Sequence, residues 1–175
     1  LYQDAELNFN CFYQGKPTEA DLKLRLIAPD GQAVALDKDR FDLQDGQNRI
    51  ALAVRNPLKW DAEHPNLYTL EVKLWQDGQE TARFSRQVGF REVAIVKNQM
   101  LVNGRPVKLR GACRHDIHTT LGRTTSAELD SLDAVLFKEA NMNFVRTSHY
   151  PPSERFLQYC DRYGIYVECE TATCF

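Results

Sequence analysis

The sequence predicts two successive domains: an all-β, immunoglobulin-like sandwich over residues 1–93, then parallel βαβαβ structure over residues 94–175. Three observations predict this. Up to Gly89 the chain consists of short alternating apolar and polar runs between turn signals, with no helical period. Beyond Gly89, two amphipathic helical patterns separate three short apolar runs. The composition, 43% hydrophobic and 26% charged over 175 residues, is that of a globular chain and excludes a disordered tail or a disulfide miniprotein.

In the first half, Leu22-Lys23-Leu24-Arg25-Leu26 alternates strictly and runs into the turn Pro29-Asp30-Gly31. Asn48–Val54 is a second alternating run. Leu67–Trp75 meets Asp77-Gly78 and returns through Thr81–Ser85, a hairpin signal. About six short antiparallel strands follow from this pattern, the first beginning close to residue 1, and Trp60 and Trp75 are expected to fill or edge the sandwich core.

In the second half, Met100–Val107 reads as an Asn-Gly hairpin and Lys108–Gly111 as the strand that continues it. Thr125 with Glu128 forms a capping box, after which Leu129, Leu132, Leu136 and Ala140 share one helical face. Asn143–Arg146 is a short strand. Ser153 caps a second helix with Phe156, Leu157, Cys160 and Tyr163 inward, and Gly164 occupies its C-terminal cap. Ile165-Tyr166-Val167 is a third, apolar strand. Three parallel strands with two helices leave a sheet edge open, so the chain is expected to be a fragment of a longer protein.

Twenty-two Lys and Arg against 24 Asp and Glu give a net charge of −2, which supplies no electrostatic reason for a nucleic-acid partner or an acidic membrane. No run approaches the roughly 18 apolar residues of a spanning helix, and Leu1–Glu6 lacks the basic and apolar regions of a secretion signal. The five cysteines, Cys11, Cys113, Cys160, Cys169 and Cys174, are odd in number and contain no C-x-x-C pair, which argues against structural zinc and for free thiols. Free thiols mildly favour a reducing compartment. A cytoplasmic and a periplasmic location both stay open, as does the oligomeric state.

In βα proteins chemistry collects at the carboxyl ends of the strands. Three polar clusters are expected there: Arg114-His115-Asp116-Ile117-His118, Arg146-Thr147-Ser148-His149-Tyr150-Pro151, and Glu168-Cys169-Glu170. Imidazoles and a guanidinium around a cleft can donate hydrogen bonds to substrate hydroxyls, and arginine can hold a carboxylate ionised and oriented. Glu168 and Glu170 stand i, i+2 on one strand, and the residues alone do not assign a pair of catalytic carboxylates.

Several of these stretches, in this order, resemble glycoside hydrolase family 2, the β-galactosidases and β-glucuronidases. They are Trp60 with Pro65–Leu70, Val88–Val93, Leu101–Gly111, Arg114-His115-Asp116, Arg146–Pro151 and Asp161–Val167. The resemblance implies a (β/α)₈ TIM barrel beginning near Met100, of which about three strands are present. It implies retaining hydrolysis of a β-glycoside by a β-galactosidase-like exo-enzyme, with a carbohydrate substrate and no cofactor. By motif match, His115, Asp116 and His149 would contact the sugar and Arg146 would orient the nucleophilic glutamate. That glutamate and the acid/base glutamate would lie on later strands, so the chain alone is expected to be inactive.

The sequence departs from the family pattern in two places. Cys113 stands where asparagine usually precedes Arg-His, and Cys169-Glu170 stands where Asp-Glu usually ends the third strand. No metal is expected, since residues 171–175 carry no counterpart of the metal ligands found in some relatives. Two other readings stay in view: a non-catalytic carbohydrate-binding or scaffolding module, and a metal-dependent hydrolase, against which His115 and His118 lack H-x-H spacing.

Overall fold

Strict alternation in the first half produces a two-layer sandwich. The computed structural model describes residues 3–16 and 20–173. It forms two compact units, Leu1–Leu58 with Leu67–Phe90, and Lys59–Asn66 with Arg91–Phe175. Among the described residues no helix is long and apolar enough to cross a membrane.

The first unit has six strands, β1 (Ala5–Tyr13), β2 (Ala20–Ile27), β3 (Arg40–Asp42), β4 (Gly46–Val54), β5 (Tyr68–Gln76) and β6 (Gln79–Val88). One sheet is the antiparallel pair β1–β4, and the other runs β3–β2–β5–β6. The alternation sends Leu22, Leu24 and Leu26 of β2, Ile50, Leu52 and Val54 of β4, and Leu70 and Val72 of β5 into one core. Lys23 and Arg25 face outward. Each such aliphatic side chain contributes about 1.5–3 kcal/mol by leaving water. The β5–β6 hairpin turns on Asp77 and Gly78, at φ 49° and 74°. This left-handed pair matches the strand twist and suits these two residue types. The expected turn at Pro29–Gly31 is present, with Gly31 N–H donating to the Ala28 carbonyl at 2.9 Å.

The second unit opens with an antiparallel meander, β7 (Val93–Val96), β8 (Gln99–Val102) and β9 (Arg105–Pro106). A parallel sheet of β10 (Gly111–Arg114), β11 (Phe144–Thr147) and β12 (Tyr166–Cys169) follows, connected through α1 (Ala127–Glu139) and α2 (Glu154–Tyr163). Ala134, Val145, Phe156, Cys160 and Ile165 form its core. Burial pushes the Cys160 thiol up to about 12. Helix α2 behaves as expected: Ser153 Oγ accepts from Phe156 N–H at 3.1 Å, and Gly164 closes the helix at φ 72°. A side chain at Gly164 would also meet the Ala62 carbonyl oxygen at 2.4 Å.

Four expectations need correction. The first parallel strand starts at Gly111 rather than Lys108. Ser126, not Thr125, caps α1, its hydroxyl accepting from Leu129 N–H. Helix α1 does not turn its leucine face inward: Leu132 and Leu136 are 51% and 49% exposed, while Asp130 and Ala134 are fully buried. The buried guanidinium of Arg114 requires a carboxylate, and the helix rotates to supply Asp130. Trp60 is buried, but not in the sandwich core. Its indole N–H donates to the Asp161 carbonyl at 2.7 Å, its ring meets Tyr166 edge-on at 5.4 Å, and Arg91 stacks on it at 4.7 Å. Asn103 Nδ2 donates to the Trp60 carbonyl at 3.1 Å, and Lys138 Nζ to that of Ala62 at 2.6 Å. Trp75 is half-buried in β5, and Cys174 lies outside the described residues.

Candidate active site

Parallel register places residues of equal rank side by side on one face of the sheet. Cys113 of β10 stands beside Arg146 of β11, and Arg146 beside Glu168 of β12. The neighbouring Val145 faces α1 and α2 in the core, so Arg146 occupies the opposite face. Arg146 ends up between two carboxylates. Its Nη2 lies 2.9 Å from Glu170 Oε2, and its Nε lies 3.6 Å from Glu168 Oε1.

Glu170 follows β12 directly. Its N–H donates to Thr147 Oγ1 at 3.1 Å, and its Oε1 lies 2.9 Å from His149 Nδ1. The hydrogen bond with His149 is the main cause holding the Glu170 carboxyl below its ordinary value; desolvation opposes it, and the charge of Arg146 reinforces it. The His149 ring meets His115 edge-on at 5.2 Å, and His115 meets Tyr150 at 6.5 Å. Asp116 N–H donates to Tyr150 Oη at 3.0 Å. The structure therefore joins residues of all three clusters into one row, His115–His149–Glu170–Arg146.

The other predicted residues are placed differently. Asp116 turns Oδ1 to Arg114 Nη1. His118 is tied into its own turn, its Nδ1 lying 3.1 Å from Thr120 Oγ1. Arg114 is not part of the loop after β10 but its last strand residue. Its Nε donates to Asp133 at 2.7 Å, its Nη2 to Asp130 at 2.9 Å, and its guanidinium lies 3.9 Å over the Phe156 ring. Asp130 also accepts from Ser153 Oγ at 2.8 Å and Arg155 Nε at 3.1 Å. Burial opposes the Arg114 charge, but the Asp133 hydrogen bond and the three carboxylates outweigh it, and its pKa lies above the usual guanidinium value. Sequence reading missed this network, although two aspartates three residues apart in α1 were its signal.

Four buried side-chain atoms among the described residues have no hydrogen-bond partner. One, Trp75 Nε1, belongs to the sandwich. The other three are Arg146 Nε, Ser148 Oγ and Glu170 Oε2, all at the ends of β11 and β12. The 2.9 Å contact of Glu170 Oε2 with Arg146 is therefore an ion pair lying off the hydrogen-bond axis. Buried polar atoms are rarely left unpartnered, and three of them together single out these strand ends as a candidate site. Ser148 carried no sequence signal beyond its place between Thr147 and His149. Among the described residues no group of three His, Cys, Asp or Glu side chains is arranged to hold a metal ion.

Comparison with known proteins identifies the family to which the two halves of the chain are similar. Residues 2–91 match the family described as "Glycosyl hydrolases family 2", and residues 93–174 match "Glycosyl hydrolases family 2, TIM barrel domain". A β-galactosidase from Vibrio vulnificus is 43% identical over 122 residues, which are 69% of this chain and 12% of that protein. One from Leuconostoc mesenteroides is 37% identical over 130 residues, 74% of this chain and 12% of that protein. Among solved structures, a Bifidobacterium dentium β-glucuronidase complexed with coumarin-3-O-glucuronide superposes with a TM-score of 0.87 at 25% identity, over 97% of this chain and 27% of that one. A family 2 member from Bacteroides cellulosilyticus gives 0.84 at 27% identity, over 97% and 24%. The chain thus spans about an eighth of the β-galactosidases and about a quarter of the solved structures that it matches. With both halves matched in order, and with the sandwich and the start of the barrel folded as that match requires, the chain belongs to glycosyl hydrolases family 2.

Proposed function

We propose that the full-length protein hydrolyses terminal β-linked sugars with retention of configuration, as a β-galactosidase-like enzyme, and that this chain supplies one arc of its sugar site. The observation that carries the reading is the row His115–His149–Glu170–Arg146, which brings three separate strand ends together and contains two unpartnered buried polar atoms, Arg146 Nε and Glu170 Oε2, with Ser148 Oγ a third beside it. His115 and His149, both exposed, offer ring nitrogens to sugar hydroxyls. Asp116, next to His115 and paired with Arg114 through its carboxylate, is the third residue on the sugar side. Arg146 presents a guanidinium to a carboxylate on the open face of the sheet, the role of a residue that orients a nucleophile.

A retaining glycosidase needs two carboxylates about 5–5.5 Å apart, one nucleophilic and one acting as acid then base. Glu168 and Glu170 are both engaged by Arg146, and neither is assigned to that pair, which the family resemblance implies lies on later strands. On this reading the catalytic carboxylates come from elsewhere in the full-length polypeptide, and this chain is expected to be inactive alone. The test is a panel of nitrophenyl β-glycosides, given to the full-length protein and to the 175-residue chain. Turnover by the first and none by the second is expected. Turnover by the pure chain, or none by the folded full-length protein, would refute the reading.

A further inference from the structure

The geometry points to Tyr150 as a positioning residue that acts through His115. This rests on the sugar-site reading above and adds a residue which that reading does not use. His115 lies between two groups that are each held. On one side, Arg114 is a buried strand residue whose guanidinium is fixed by Asp130 and Asp133 of α1. On the other, Asp116 is held twice: its carboxylate by Arg114, its N–H by Tyr150 Oη at 3.0 Å.

Tyr150 belongs to the loop after β11, so its hydroxyl ties the loop after β10 to the segment that carries His149. Its ring also lies edge-on to His115 at 6.5 Å, next to the 5.2 Å contact of His115 with His149. An exposed imidazole has no packing of its own to fix its rotamer. Here the backbone on both sides of it is fixed, and two aromatic edges limit where the ring can turn. A polar group must sit within a fraction of an ångström of its productive place to favour a transition state, and the groups behind it provide that precision. The phenol hydroxyl is thus the part of Tyr150 that matters, and it acts on the sugar only through His115.

The test is a double-mutant cycle in the full-length protein with the best nitrophenyl β-glycoside, comparing Tyr150→Phe, His115→Ala and the double variant, each beside a thermal melt. Phenylalanine keeps the ring and removes only the acceptor of the Asp116 N–H. Tyr150→Phe is expected to lower kcat/KM by about 5- to 10-fold with an unchanged melting temperature, and His115→Ala to lower it more. In the His115→Ala background the Tyr150→Phe change should cost less than about 2-fold. An unchanged kcat/KM in Tyr150→Phe overturns the inference, as does a loss that persists undiminished without His115. His115→Ala taken alone reports on the sugar-site reading itself: if it is silent, that role of His115 falls, and this inference falls with it.

Discussion

Two arginines at the ends of neighbouring strands, on opposite faces of one sheet, have opposite environments. Arg114 points to the helices, its side chain is 5% exposed, and three aspartates and an aromatic ring surround it. Arg146 points away from the helices, its side chain is 41% exposed, and its Nε has no hydrogen-bond partner. Arg114 is saturated by groups that belong to the fold. Arg146 is held by two glutamates, and its buried Nε is left without a hydrogen-bond partner. The residue type is the same, and what distinguishes a fastening from a site is whether the fold uses all of its hydrogen bonds.

The largest effect should come from the fastening. Arg114→Ala takes from the fully buried Asp130 one of its two cationic partners, leaving Arg155, and breaking a buried ion pair on one side costs up to about 3–5 kcal/mol. Urea unfolding of the full-length protein measures it; a loss below about 1 kcal/mol would erase the contrast between the two arginines. Next comes Arg146. A guanidinium can hold a carboxylate through two parallel hydrogen bonds, which an ammonium cannot copy. Arg146→Lys and Arg146→Ala should therefore each lower kcat/KM more than about 10-fold, or about 1.4 kcal/mol, with the melting temperature preserved. A near-normal lysine variant would place Arg146 beside Arg114 as a structural ion pair.

The smallest effect is acid sensitivity at Glu170. Its folded pKa is lowered, chiefly by His149, so its pairing stabilises the fold fully above the unfolded carboxyl value, about 4.3. That contribution disappears as the pH falls through the lower, folded value. Comparing melting temperatures of the parent and Glu170→Gln across this range should show a modest gap at neutral pH that closes in acid. A gap that widens in acid would mean that the His149–Glu170–Arg146 row does not stabilise the charged carboxylate.

Legibility in the sequence followed distance along the chain. The Asp77-Gly78 turn, the Ser153 cap and the Gly164 stop are set by residues a few places apart, and the sequence displays all three. The clustering of polar residues at strand ends was also readable, because a βα pattern fixes where those ends lie. The rotation of α1 was not, since its cause is a charge on β10 that must be matched 16 residues later, and leucine periodicity pointed the other way. The allegiance of Trp60 was hidden for the same reason: its hydrogen-bond partner lies 101 residues downstream. Arg114 and Arg146 looked alike as members of polar clusters, and only the pleat separates them into opposite faces.

The segment Lys59–Asn66 also has a temporal consequence. It leaves the ribosome long before Asp161, Tyr166 and Lys138, the groups that cover it. At about 5–20 residues per second, the 101 residues between Trp60 and Asp161 take about 5–20 s to synthesise. For that interval the sandwich strands on either side of the segment are available to pair, while the indole between them waits in water for partners not yet made. The start of the barrel is in this sense completed backwards, α2 and β12 closing over a tryptophan that has been present since the sandwich was half built.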